Sequence, residues 1–286
     1  MAKEKIKILI LGSSGQLGSK LVEKLIHKKN FVIIAHNRNK FNLVNYKYLE
    51  EYLKKINPDL IINCAAYTDV ESAEIERKKC LEINFKTVKE TVKYCVKNHI
   101  TLIHFSTDYV FNGRKKKYRE NAKTNPINFY GKSKELAEKY IIKNLRRYYI
   151  FRVSGLYNKK SNFKNFYNFV KTNLKKNQNL KIISNQYTIP TSVDFVTDII
   201  KKILNKFKTK EKIMYGIYNV TPNGFTSWFN FSKKIQKKYF KNKNLISPIY
   251  LREFKSKTRR PKNSVLINNK IKKILTSKFK YWYEEI

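Results

Sequence analysis

The feature that most constrains this chain is the stretch Lys7-Ile8-Leu9-Ile10-Leu11-Gly12-Ser13-Ser14-Gly15-Gln16-Leu17-Gly18. Ile6 and the apolar run Ile8 to Leu11 read as a short strand buried on both faces, the kind found inside a parallel sheet. Leu17, Leu21, Val22, Leu25 and Ile26 then recur at helical spacing, so a helix opens near Gly15. Three glycines lie between and just inside the two elements. Gly12, Gly15 and Gly18 suit a tight turn in which backbone approaches a ligand with no Cβ in the way. The free N–H groups and positive dipole end of the helix suit a pyrophosphate. Glycines also serve plain turns and helix ends. The strand before and the helix after make this a dinucleotide-binding loop, and the expected fold is α/β: a Rossmann-type, doubly wound parallel sheet.

The βα alternation continues. Phe31 to Ala35 is a second strand, Tyr48 to Ile56 a helix broken by Asn57-Pro58-Asp59, and Leu60 to Asn63 a third strand. Asp69 to Asn98 reads as helix with a break near Arg77, Thr101 to Phe105 as the next strand, and Tyr148 to Val153 as another. After about residue 156 the alternation fades: helices are expected over Asn162–Leu174, Ser192–Phe207 and Ser227–Tyr239, with short strands at Lys181–Ile183 and Tyr218–Val220. Residues 1–156 are therefore read as the cofactor domain. Residues 157–286 are read as a smaller C-terminal substrate-binding lobe interleaved with the last core elements. No internal repeat is present.

Where the second strand ends, a dinucleotide fold usually has an acidic residue for the ribose hydroxyls. Here no Asp or Glu occurs between Glu23 and Glu50, and the strand runs into His36-Asn37-Arg38. Arg38 without a competing carboxylate suits the 2′-phosphate of NADPH, and it also fits an ordinary solvated loop charge. After the third strand, Cys64-Ala65-Ala66-Tyr67-Thr68 places small residues at the sheet edge where open α/β sheets bind ligands. Asn84, among apolar neighbours, reads equally well as structural or as part of a site.

The formal net charge of +41 raises nucleic-acid or anionic-membrane binding. Lys, Asn, Ile, Tyr and Phe are enriched together along the whole chain, with no basic tail, and Lys outweighs the Arg favoured for bidentate readout. That pattern reflects compositional bias, and no specific nucleic-acid partner is expected; attraction of an anionic sugar nucleotide is a side benefit. Cys64, Cys80 and Cys95 lack C-x-x-C spacing and read as small buried hydrophobes of a reducing compartment. No run has the length of a membrane span or signal peptide, so a cytoplasmic location is expected.

Tyr130 and Lys134 stand four apart in Phe129-Tyr130-Gly131-Lys132-Ser133-Lys134, on one face of a helix, about twenty residues after the strand that runs into Ser106-Thr107. A free phenol titrates near pH 10. A fixed ammonium one turn away, beside an oxidised nicotinamide, would draw that value toward neutrality. Thr107 would hydrogen-bond a carbonyl oxygen. The trio implies hydride transfer between a nicotinamide and a carbonyl. Y-x-x-x-K alone is common in a Tyr- and Lys-rich chain; its position gives it weight.

These pieces are similar to the extended short-chain dehydrogenase/reductases and, more narrowly, resemble the dTDP-4-dehydrorhamnose reductase family. The matching stretches are Gly12–Gly18, Pro58–Thr68, Val70–Ala73-Glu74, Ser106-Thr107-Asp108-Tyr109-Val110-Phe111-x-Gly113, Tyr130-Gly131-x-Ser133-Lys134, Phe151–Ser154, Asn185–Thr191 and Arg259-Arg260-Pro261-x-Asn263-Ser264. They follow the family's order over nearly the whole chain. The resemblance implies hydride transfer from NADPH (or NADH) to C4 of a nucleotide-linked 4-keto-6-deoxy sugar, a proton from Tyr130 and carbonyl polarisation by Thr107. It implies cofactor contacts at Gly15, Gln16, Leu17, Ala66, Tyr67, Thr68, Tyr130 and Lys134, and sugar contacts at Thr107 and Asp108. Two positions depart from the family. A pocket tryptophan is replaced by Gly155, which opens the identity of the sugar nucleotide. A glutamate that ligates an intersubunit magnesium in some members is replaced by Lys20, so no metal is expected; a homodimer is possible. The alternatives are another extended reductase or epimerase on a different nucleotide sugar, and a non-catalytic dinucleotide-binding subunit, since the family includes a regulatory partner of methionine adenosyltransferase.

Overall fold

The structure, a computed structural model, describes residues 5–209, 213–241, 244–256 and 258–286. The first half alternates β1 (Ile6–Leu11), α1 (Gln16–Leu25), β2 (Phe31–His36), α2 (Tyr46–Ile56) and β3 (Leu60–Asn63). Next come α3 (Ser72–Ile75), α4 (Arg77–Leu81), a π-helical turn (Glu82–Lys86), α5 (Thr87–Lys97), β4 (Thr101–Thr107), α6 (Phe129–Asn144) and β5 (Tyr148–Val153). Beyond lie β6 (Leu156–Tyr157), α7 (Phe166–Lys175), β7 (Leu180–Ile183), β8 (Tyr187–Thr188), β9 (Thr191–Ser192), α8 (Val193–Lys208) and β10 (Gly216–Asn219). The chain closes with β11 (Thr226–Ser227), α9 (Trp228–Tyr239), β12 (Ile246–Ile249) and α10 (Asn269–Leu275).

Six parallel strands form the central sheet in the order β10-β5-β4-β3-β1-β2. Strand side chains alternate between faces. Ile8 and Ile10 therefore join Leu17, Leu21, Val196 and Ile271 on the face covered by α1, α8 and α10. Leu9 and Leu11 join Leu49, Leu53, Val88, Val92 and Ala137 on the face covered by α2, α5 and α6. This double burial is why Ile8–Leu11, the buried residues of β1, are all apolar. A third cluster of Tyr157, Tyr167, Phe231, Ile235 and Ile246 sits among α7, α9 and the β7–β12 pair.

The strand order reverses at β1, which has β2 on one side and β3 on the other. Ligands of open α/β sheets bind at such a switch point, and the glycine loop is built there. Gly12 has φ +74, and a Cβ on it would lie 2.6 Å from the backbone nitrogen of Ala65 at the end of β3. A Cβ on Gly18 would lie 2.2 Å from the Gly12 carbonyl oxygen. The loop is thus pressed between α1 and the β3 edge, with Ser13 tying it to β2 through two hydrogen bonds to the His36 carbonyl.

The region expected as helix from Asp69 to Asn98 with a break near Arg77 is divided. It breaks at Glu76, one residue before the expected Arg77, and widens into the π-helical turn before α5. The helix expected from Asn162 starts at Phe166 because Asn165 turns its side chain to cap it, accepting the Asn168 N–H at 3.0 Å. Strand β10, far along the chain, completes the sheet edge beside β5. Strand β12 and helix α10 carry too little periodicity to have been expected.

The contact of Gly18 with the Gly12 carbonyl joins two backbones, and neither can step aside. Gly18→Ala is expected to lower the unfolding free energy by about 1–3 kcal/mol, read as a lower urea midpoint with an unchanged slope.

Candidate active site

Strand β4 and helix α6 converge where the sheet ends. Asn128 caps α6, accepting the Gly131 N–H at 2.8 Å while its amide donates to the Arg259 carbonyl at 3.0 Å. Glu74 accepts the Phe129 N–H at 2.8 Å, a second anchor for the same turn. A Cβ on Gly131 would stand 2.2 Å from the Tyr109 carbonyl oxygen, so only glycine lets the helix start lie against the turn that follows β4. This places the Tyr130 ring 6.1 Å, centre to centre, from the Tyr109 ring and its phenol beside the Thr107 hydroxyl.

Thr107 is held from two sides. Its oxygen accepts the Tyr109 N–H at 3.2 Å, and its proton goes to Asp108 Oδ1 at 3.1 Å. Asp108 is only 3% exposed, and Ser154 donates to its other oxygen at 2.8 Å. Burial raises its pKa to about 6, opposed by hydrogen bonds from Ser264, Ser154 and Thr107. Asp108 lines the cavity, yet its carboxylate is spent on positioning Thr107. A substrate carbonyl therefore has to draw the Thr107 proton away from Asp108.

Burial pushes the Tyr130 phenol above its ordinary value, with the Thr107 hydrogen bond opposing. Burial lowers Lys134 to about 8. Lys134 Nζ lies 3.2 Å from His104 Nε2.

Around the glycine loop, α1 begins at Gly15 with no side-chain cap and no acidic residue in its first turn, leaving its N–H groups available to an anion. Gln16 reaches the cavity, and its buried Oε1 has no hydrogen-bond partner among the described residues. Leu17 and Gly18 are buried on the core side of α1. Asn84, projecting from the π-helical turn, accepts the Tyr67 N–H at 2.8 Å and donates to the Tyr67 carbonyl at 3.0 Å and Ser133 Oγ at 2.9 Å. It is the clamp that holds the loop carrying Ala66, Tyr67 and Thr68 against α6. The Tyr67 hydroxyl points to Glu76, while Thr68 faces the cavity.

One cavity of about 510 Å³ brings together Gln16, Thr68, Thr107, Asp108, Tyr130 and Gly155. Gly12, Gly15, Ala66 and Lys134 are not among the residues that line it, and Arg38 is exposed in the turn after β2. Gly155 has φ +52, a left-handed conformation costly for a tryptophan. Sequence reasoning missed other lining residues: Phe166, Trp228 and Phe231 supply aromatic faces, Lys164 and Lys181 supply positive charge, and Arg260 lines the cavity while paired with Glu71 at 2.6 Å. Only Arg260 had a signal, the Arg259-Arg260-Pro261 motif. Lys20 is occupied by ion pairs to Glu23 at 3.0 Å and Asp194 at 2.9 Å. Cys64, Cys80 and Cys95 are free thiols. No helix among the described residues is long and apolar enough to cross a membrane.

A doubly wound parallel sheet, a glycine loop at its switch point and a Thr-Tyr-Lys trio at the β4–α6 junction define an extended short-chain dehydrogenase/reductase. The sequence profile described as RmlD substrate binding domain matches residues 6–286. A dTDP-4-dehydrorhamnose reductase from Aggregatibacter actinomycetemcomitans is 30% identical over 274 residues, covering 93% of this chain and 92% of its own. Another from Salmonella typhimurium is 32% identical over 233 residues, covering 79% and 76%. The crystal structure of dTDP-4-dehydrorhamnose reductase from Bacillus anthracis in complex with NADP superposes with a TM-score of 0.90 at 31% identity, covering 98% and 96% of the two chains. The chain belongs to the dTDP-4-dehydrorhamnose reductase family.

A raised carboxyl pKa in the fold has a definite sign. The contribution of Asp108 to stability is fully present below about pH 4, its ordinary value, and is lost as pH rises through about 6. Asp108→Asn removes that dependence. Wild type is expected to lose about 3 kcal/mol or less relative to the variant between pH 4 and 7, measured by urea unfolding at each pH.

Proposed function

We propose that this protein is an NADPH- or NADH-dependent reductase of dTDP-4-dehydrorhamnose, with Tyr130 as proton donor and Thr107 as the group that hydrogen-bonds the carbonyl. The observation that carries this reading is the cavity itself, which has a phenol and a held threonine hydroxyl in its lining. Phe166, Trp228 and Phe231 add aromatic faces to the same cavity, and Lys164, Lys181 and Arg260 add positive charge. The geometry asks for a carbonyl on a ligand with a diphosphate and a flat base: a nucleotide-linked keto sugar. Phe166, with Trp228 at 4.5 Å between ring centres, offers a stacking surface where Gly155 offers none. Lys164 and Lys181 suit the diphosphate; Arg260 is paired with Glu71 at 2.6 Å.

The dinucleotide fits the other arm of the site. The uncapped start of α1 and the Gly12–Gly18 loop would hold its pyrophosphate, the Ala66–Thr68 edge its adenosine side, and Lys134 its nicotinamide end. When bound it supplies the hydride. The chain's own residues do the rest: Thr107 fixes and polarises the carbonyl, and Tyr130 Oη delivers the proton as the alcohol forms. Residues 1–156 serve as the cofactor domain and 157–286 chiefly as the substrate lobe. Arg38, in an exposed turn beyond the last residue of β2, is the partner for a 2′-phosphate.

Oxidation of NADPH and NADH with dTDP-4-dehydro-L-rhamnose, followed at the nicotinamide absorbance, tests the assignment. Wild type should turn over; Tyr130→Phe should lose roughly 10²–10⁴ in kcat while still binding cofactor. Cofactor binding by wild type with no oxidation would overturn the assignment. Arg38→Ala should weaken NADPH roughly tenfold or more and leave NADH unchanged, read by nicotinamide fluorescence titration; equal loss for both would remove Arg38 from the site.

A further inference from the structure

Tyr109 stands between the reacting residues and the later part of the chain, and the reaction as described gives it no role. Three of its groups are set against catalytic elements. Its N–H donates to Thr107 Oγ1 at 3.2 Å. Its carbonyl oxygen is the atom against which Gly131 seats α6, where a Cβ would stand only 2.2 Å away. Its ring meets the Tyr130 ring edge-on, 6.1 Å between centres and 73° between planes, a geometry that aromatic pairs prefer.

The phenol oxygen is the fourth group, and it looks the other way. Arg260 and Gln186 face it, arriving from the segments that precede α10 and β8. Both are themselves held. Arg260 Nη2 donates to Glu71 Oε1 at 2.6 Å, and the guanidinium lies over the Phe254 ring, 5.8 Å from its centre. Gln186 Nε2 donates to the Pro261 carbonyl at 3.1 Å. The same segment is tied to the catalytic helix, because the Arg259 carbonyl accepts from Asn128, the cap of α6.

We propose that Tyr109 is a positioning residue: Arg260 and Gln186 tether its phenol, and its ring and backbone in turn fix Tyr130 Oη relative to Thr107 Oγ1. This role rests on the assignment of Tyr130 and Thr107 to the reduction. Proton transfer tolerates little misplacement, and a shift of about 1 Å can cost about 10²-fold in rate. The Tyr130 ring is stopped on one side by the edge of its neighbour, and that neighbour stays in place only if its far end is anchored. Arginine suits the anchor. Its planar fork can hold Glu71 with one N–H and turn another toward Tyr109, whereas an ammonium is a single point charge. Tyr109 lines the cavity too, but its phenol is directed to Arg260 and Gln186, which leaves the proton delivery to Tyr130.

Reduction of the 4-keto sugar nucleotide by the full chain with NADPH tests this. Tyr109→Phe keeps the ring and removes the tether; Arg260→Lys keeps the charge and removes the fork. Each should lower kcat about tenfold or more, and leave KM for the sugar nucleotide and Kd for NADPH within about twofold. The double variant should lose no more than the worse single one, since both act through one contact. A raised KM with kcat intact would make these side chains substrate ligands, and multiplied losses would uncouple Arg260 from Tyr109; either overturns the proposal. A lower urea midpoint with both kinetic constants unchanged overturns it as well, because that is a structural role alone.

A measurement without cofactor or substrate separates this from the function assignment. In protein labelled with ¹³C at tyrosine Cζ, the Tyr130 signal is the one missing from Tyr130→Phe. Arg260→Lys changes a side chain that faces Tyr109, and the Tyr130 signal should move with it; an unmoved signal overturns the positioning role. Failure of wild type to reduce any keto sugar would sink the function assignment and leave this signal to decide the tether. If Tyr109→Phe does not fold, Arg260→Lys carries both tests.

Discussion

The seating of the α6 N-terminus against the turn after β4 is the constraint on which the site depends. At Gly131 a helix backbone meets the Tyr109 carbonyl with no room for a single carbon between them. That contact, the Asn128 cap and the Glu74 anchor decide where Tyr130 stands relative to Thr107. Strand β4 lies between β3 and β5, hydrogen-bonded on both sides. Its end is therefore among the most rigid places in the sheet, and the reacting groups inherit that rigidity.

A second theme is the density of buried polar groups just behind the cavity. Asn84, Ser133, Asp108 and Ser154 are almost inaccessible to water, and each has a hydrogen-bond partner. Burying them costs free energy that only satisfied hydrogen bonds offset. What they accomplish is positional. Asn84 welds the cofactor-side loop to α6, and Asp108 with Ser154 sets the Thr107 rotamer. The π-helical turn belongs to the same arrangement, since its extra residue presents Asn84 at the depth the Tyr67 backbone requires.

The sheet was legible in the sequence because its strands are buried on both faces and bounded by glycine, proline and asparagine. Gly12 to Gly18 and the Tyr130–Lys134 spacing were legible for the same local reason. Less was visible where tertiary contacts overrule the local pattern. The break near Arg77 was visible, whereas the π-helical turn Glu82–Lys86 that follows it was not. The aromatic wall around Phe166 and Trp228 is assembled from α7 and α9, whose side chains read from sequence as ordinary core. Spacing placed Lys134 near the phenol, but only the three-dimensional structure shows His104 beside its Nζ.

The central claim is that hydride and proton are delivered to one carbonyl carbon and its oxygen in a net reduction. The most direct test is a single turnover of wild type with nicotinamide deuterated at C4 and dTDP-4-dehydro-L-rhamnose, with the sugar product read by NMR. Deuterium at sugar C4, one per oxidised cofactor, is the predicted result. A sugar without label, or with its configuration changed while the reduced cofactor persists, would contradict the account and assign the site to epimerisation.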